Sequence, residues 1–83
     1  MLYRVYTEDI ARDKIVEAFA ASFESFTTFD GIGYWKGKPE ECLIVEIVTS
    51  DSVTLRKVCE WVKWYNKQEA VLIVALQETS ELI

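Results

Sequence analysis

Residues 33–50, GYWKGKPEECLIVEIVTS, decide how this chain folds. The second half reads as a strand. Leu43, Val45 and Ile47 fall on one face, Ile44 and Val48 on the other, and only Glu46 interrupts the apolar run. A strand of that kind is normally covered on both faces. The first half ends an earlier strand, with Tyr34 and Trp35 on opposite faces. Gly37-Lys38-Pro39-Glu40 supplies turn residues between the two. The stretch is a hairpin. Whether its aromatic, basic tip is also a ligand lip is the question it raises.

Upstream, FTTFDGIGYWKG favours a strand through Phe26, Thr27, Thr28 and Phe29. Asp30-Gly31 and Gly33 suggest a bulge or a close backbone approach within it. The N-terminal LYRVYTE alternates, with Leu2, Arg4 and Tyr6 on one side and Tyr3, Val5 and Thr7 on the other. Asp9 is placed to cap a helix ending near Ser25, with Ile15, Val16, Phe19, Ala20 and Phe23 as its apolar stripe. Downstream, Asp51 or Ser50 caps a second helix. Its inward stripe is Leu55, Val58, Cys59, Val62 and Tyr65, and Asn66-Lys67-Gln68 closes it. EAVLIVALQE is a fourth strand, apolar on both faces: Ala70, Leu72, Val74 and Leu76 against Val71, Ile73 and Ala75. Residues 79–83 form a short tail.

The order β-α-β-β-α-β in one 83-residue domain predicts the α+β ferredoxin-like fold. Right-handed crossovers put both helices on one face of a four-stranded antiparallel sheet, with the first and third strands central. The other face is then open, although two strands are apolar on both sides. Edge strands usually carry charge, and the fourth carries none from Ala70 to Leu76. A second copy of the chain is the simplest cover, in a dimer or closed ring rather than an open array. A chain this short buries only ~60–65% of its unfolded surface, which favours the same conclusion.

Composition excludes several functions. Nine basic against fourteen acidic side chains give a net charge of -5, which opposes general nucleic-acid binding. No apolar run approaches the ~20 residues of a membrane span, and no signal segment opens the chain, so a cytoplasmic, membrane-free protein is expected. With no histidine, and with Cys42 and Cys59 far apart in sequence, neither zinc ligation nor histidine acid–base catalysis is expected, and no cofactor is implied. The cysteines read as buried thiols, a disulfide being the alternative.

The hairpin resembles that of the CutA proteins: an aromatic pair, Gly-Lys, an acidic turn and an apolar strand ending in Thr occur in that order in GYWKGKPEECLIVEIVTS. The helix that follows, and EAVLIVAL after a short polar loop, are similar to that family's helix and final strand. The likeness spans roughly residues 27–76. It implies membership of the ferredoxin-like trimers that include the PII signalling proteins, with clefts between subunits that PII-like members use for nucleotides and other small anions. The family's His-Pro-Tyr-Glu segment is absent; Tyr65-Asn66-Lys67-Gln68-Glu69 stands there instead. The missing histidine argues against carrying over a metal role.

Two binding readings follow. In the first, a non-enzymatic oligomer binds a nucleotide-type anion between subunits. Arg4, Lys36 and Lys38 supply charge and Tyr34 or Trp35 stacks. Such a protein would be a sensor or, in a virus, a sink. The bland alternative is a hairpin packed on a neighbouring subunit, with Arg4 paired to Glu46. In the second reading Trp61 and Trp64, three apart on a helix, meet a partner protein. The alternative there is an extended core stripe. Glu40-Glu41 and Glu8-Asp9 read as turn and helix-start charges, and as a catalytic pair they lack a cleft and a defined separation.

Overall fold

A computed structural model describes residues 1–76; the tail at 79–83 and the last two residues of the fourth-strand stretch lie outside the described residues. The elements are β1 (Leu2–Glu8), α1 (Arg12–Ser22), β2 (Thr27–Trp35), β3 (Lys38–Val48), α2 (Ser52–Asn66) and β4 (Leu72–Leu76). The strands form one antiparallel sheet in the order β2-β3-β1-β4, with β1 and β3 central as expected.

Alternation sorts the sheet into two faces. Val5 and Thr7 of β1 and Leu43, Val45 and Ile47 of β3 are buried beneath the helices, with Tyr3 packed at the edge of that core. Ile15 and Phe19 of α1 and Leu55, Val58, Cys59 and Val62 of α2 complete it. Phe23 and Phe26 close around Phe19, their ring centroids 6.4 and 5.9 Å from its own. The opposite face takes Leu2, Arg4 and Tyr6 of β1, their partners Val48, Glu46 and Ile44 of β3, and Leu76, Val74 and Leu72 of β4. No described helix or strand lies over it, although Ile44 is buried among its neighbours on that face.

The structure corrects five local expectations. The hairpin turn is Lys36-Gly37, not residues 37–40, and Lys38 to Glu40 already belong to β3. Both turn residues have positive φ, 52° at Lys36 and 78° at Gly37, as the two-residue turn that matches strand twist requires. β2 carries no bulge: its register with β3 is unbroken from Thr27↔Glu46 to Trp35↔Lys38. Gly31 serves close packing instead, since a Cβ there would lie 3.0 Å from Ile44 Cδ1. Asp9 does not cap α1. The helix starts after Ala11 at φ 52°, ends at Ser22 rather than near Ser25, and Asp9 binds Arg12. In the α1 stripe Ala18 packs on the core and Ala20 is exposed. Tyr65 leaves the α2 stripe and stacks outside on Trp61. Asp51 does cap α2, accepting a hydrogen bond from the Thr54 backbone N–H.

Candidate functional site

Strand lengths create the site. β1 pairs with β3 only from Leu2↔Val48 to Glu8↔Cys42, while β3 continues to Lys38 with β2 alone beside it. The tip of the hairpin therefore projects past the sheet as a two-stranded arm. An isolated ribbon of this kind has little stability of its own. Trp35 and Lys38 flank the two-residue turn, so Tyr34 and Pro39 form the next, non-hydrogen-bonded pair. The proline's missing N–H then faces the side where β1 has already ended, which is why proline is tolerated there.

The arm separates its two aromatics. Trp35 and Lys38 lie on the open face, while Tyr34 points to the helix side. Tyr34 is 75% exposed and Trp35 51%. Lys36 Nζ lies 5.8 Å from the centroid of the Trp35 ring, within cation–π reach. One small ligand can therefore stack on Trp35 beside Lys36 and Lys38, or on Tyr34, but not between the two rings.

Arg4 is not part of this group. Its Nε donates to Glu46 Oε2 at 2.8 Å across the central strands, the pairing alternative raised above, and Glu46 raises the guanidinium's pKa further. Glu46 and Lys38 are eight residues apart along β3, about 26 Å at strand rise. No nucleotide-sized molecule on one chain spans Arg4 and the hairpin lysines.

Beneath the arm is a cleft of about 410 Å3, closed by the end of β1 and the α2–β4 loop. Gln68 builds its floor. The buried side chain accepts hydrogen bonds from the Thr7 hydroxyl and the Glu8 backbone N–H, both at 3.1 Å, and its Nε2 donates to Thr7 Oγ1 at 2.7 Å. Glu8, Glu40, Glu41 and Glu69 line the cleft against one cation, Lys67. Burial raises the Glu8 pKa, and the Glu40 carboxyl within hydrogen-bond reach, with Glu69 beyond, raises it further. The register thus supplies the cleft and the proximity that the sequence lacks. The register Glu8↔Cys42 sets Glu40 two residues from the partner of Glu8 on the same face, a proximity that alternation alone does not give. Nothing in the sequence marked Gln68.

The thiols differ by environment. Cys42 lies on the open face beside the cleft, where burial raises its pKa; Cys59 faces the core, where burial pushes it up to about 12. They are on opposite sides of the sheet and are not bonded to each other. On the helix layer, Trp61 stacks on Tyr65 with centroids 4.8 Å apart and lines a groove between α1 and α2. Trp64 stands outside the groove, 73% exposed. Trp61 and Trp64 are three apart on α2, and Trp61 stacks in addition on Tyr65. No described helix is long and apolar enough to cross a membrane, and no group of three potential metal-ligating side chains occurs among the described residues.

No known family's sequence model matches this chain, and no curated protein does. Among solved structures it is similar to a DUF3240 family protein from Shewanella baltica OS155. The TM-score is 0.61 at 12% sequence identity, over 99% of this chain and 94% of that one. A likeness at that identity is one of fold, and the fold it supports is the small ferredoxin-like α+β domain.

Proposed function

We propose that this chain is a non-enzymatic homo-oligomer of the CutA/PII-like kind that binds a small anionic molecule of the nucleotide class where the hairpin arm of one subunit meets the next. The observation that carries this reading is the arm itself. It holds Ile32, Tyr34 and Trp35 at least half exposed among the described residues. A neighbouring subunit received by the open face would cover Val48 and Leu72 as well, which are 63% and 58% exposed. Assembly would remove this apolar surface from water at roughly 25 cal/mol per Å2.

Trp35, Lys36 and Lys38 are the ligand group in this reading: one ring for stacking and two cations for phosphate. Arg4 serves the sheet through Glu46 and is set aside as a ligand residue. The cleft beneath the arm is lined by carboxylates, and Glu40 shares the open face with Trp35 and Lys38, so the anion sits at the Lys36–Lys38 tip of the arm. Native mass spectrometry of the protein as purified tests both parts. The expected spectrum is an oligomer, a trimer on the CutA-like comparison, with added mass in the nucleotide range. Lys36→Ala with Lys38→Ala removes the added mass and leaves the oligomer. A bare oligomer, or ligand retained by the double variant, rejects these contacts.

A further inference from the structure

Charge is distributed unevenly over this acidic chain. From Ser52 to Lys67, α2 and its C-terminal cap carry four of the nine basic side chains, Arg56, Lys57, Lys63 and Lys67, and one of the fourteen acidic ones, Glu60, with the N-terminal cap Asp51 just outside this span. All five are exposed. Among the described residues, none of the four cations lies within salt-bridge distance of a carboxylate, whereas Arg4, Arg12 and Lys14 all do. Lys63 and Lys67 are one turn apart, where like charges repel and the free helix is weakened. An anionic partner would relieve that repulsion.

Apolar anchors stand on the same surface. Val53 and Trp64 lie exposed on the outer ridge of α2, and Lys57, Trp61 and Tyr65 stand along the wall of the α1–α2 groove. The groove is open to solvent, offers about 610 Å3 above Ala18 and Ala21, and carries the Lys14–Glu17 pair on its α1 side. Tryptophan in solvent beside cations is the composition of a binding hot spot rather than of a plain solvated face. The helices lie on the far side of the sheet from the open face, so self-association through that face leaves this surface accessible.

We propose that the outer surface of α2 docks an acidic peptide segment of a partner protein, one whose carboxylates meet Arg56, Lys57, Lys63 and Lys67 and whose aromatic or leucine side chains pack against Trp61 and Trp64. The surface is about 22 Å long, the length of a fifteen-residue helix, and suits a short segment. A nucleic-acid strand fits it less well. Glu60 sits within the patch, and a longer polyanion would run onto the acidic remainder of the chain. This inference is independent of the hairpin ligand, and failure of that reading leaves it standing.

The test is selection of binders to the full chain from a random dodecapeptide display library, with a labelled fifteen-residue oligo-dT as the nucleic-acid probe. The expected peptides are enriched in Asp and Glu around Phe, Trp or Leu, and their binding weakens as salt is raised. Trp64→Ala, and separately Lys57→Glu with Lys63→Glu, each lower affinity at least tenfold while the thermal unfolding curve stays in place. Absence of enrichment, enrichment without acidic bias, or affinity unmoved by these substitutions overturns the proposal. So does oligo-dT binding tighter than the selected peptides.

Discussion

The two faces of one sheet have nearly the same apolar content and opposite fates. Under the helices, Leu43, Val45 and Ile47 are sealed from water. On the other side of the same strand, Val48 is mostly exposed, and Leu72 and Trp35 on the flanking strands are as well. The difference lies in the cover and not in the residues. The helical face has been closed by the chain's own crossovers. The open face has apolar strands, one central ion pair and an overhanging arm, with no described element above it. In the proposed reading this face, which no described element covers, is half of an interface.

Core and open face should respond differently to truncation, and this gives the largest expected effect. Phe19→Ala removes a fully buried ring and should cost about 3–5 kcal/mol, enough to unfold much of so small a domain. Leu72→Ala on the open face should change the stability of the isolated subunit by less than about 0.5 kcal/mol while weakening its assembly. Chemical denaturation of both variants, at dilutions that separate the subunits, measures the contrast. Equal losses would mean that the open face is already covered within one chain.

The hairpin arm should show a smaller effect. Gly37 has φ 78°, a conformation that costs an L-residue about 1–2 kcal/mol. Gly37→Ala should lose about that much and loosen the arm first. Amide exchange in residues 32–41 should rise while exchange in β1 stays slow. A uniform rise would contradict the arm's independence.

Thiol reactivity reads the same two faces. Iodoacetamide should modify Cys42 on the open face and spare Cys59, whose pKa is pushed up to about 12 in the core. Self-association should then protect Cys42. Modification of Cys59 before Cys42 would reverse the assignment of the faces.

The smallest effect is electrostatic, with two opposing signs. Glu8 titrates above its ordinary value of 4.5, so the fold favours its protonated form and loses stability as pH rises through the raised pKa. Asp9 and Asp51 are held below their ordinary value of 3.8, chiefly by hydrogen bonds from Arg12 and Thr54 respectively, and their stabilisation is lost as pH falls through the lowered pKa values. Glu8→Gln should therefore flatten the stability profile above pH 4.5 and leave the acid limb unchanged. Thermal melts across pH 2–8 check this. An unaltered slope above pH 4.5 would remove Glu8 from the account.

These contrasts also explain what the sequence made legible. Strand order, the buried sets of β1 and β3 and the Arg4–Glu46 pair follow from period-two alternation combined with the fold's register. Turn position did not follow. Gly37 and Pro39 both punctuate, and only positive φ at Lys36 places the turn one residue earlier. Of the two readings of Gly31, a bulge or a close approach, the close approach holds, because the Ile44 side chain of the neighbouring strand lies where a Cβ would stand. Tyr65 looked like core at helical spacing, yet stacking on Trp61 holds it outside. The acidic cleft was hidden for the same reason. Glu8 and Glu40 are 32 positions apart and meet only through the β1–β3 register, and Gln68 arrives from a third element.

The central claim is that the open face is covered by copies of this chain. Sedimentation equilibrium of the wild-type protein beside Val48→Asp with Leu72→Asp tests it most directly. Both positions are exposed in the single subunit, so the double variant should keep its fold and its unfolding transition. The account predicts a discrete wild-type oligomer at micromolar concentration and a folded monomer for the variant. A monomeric wild type, or an oligomer that survives both aspartates, would contradict it.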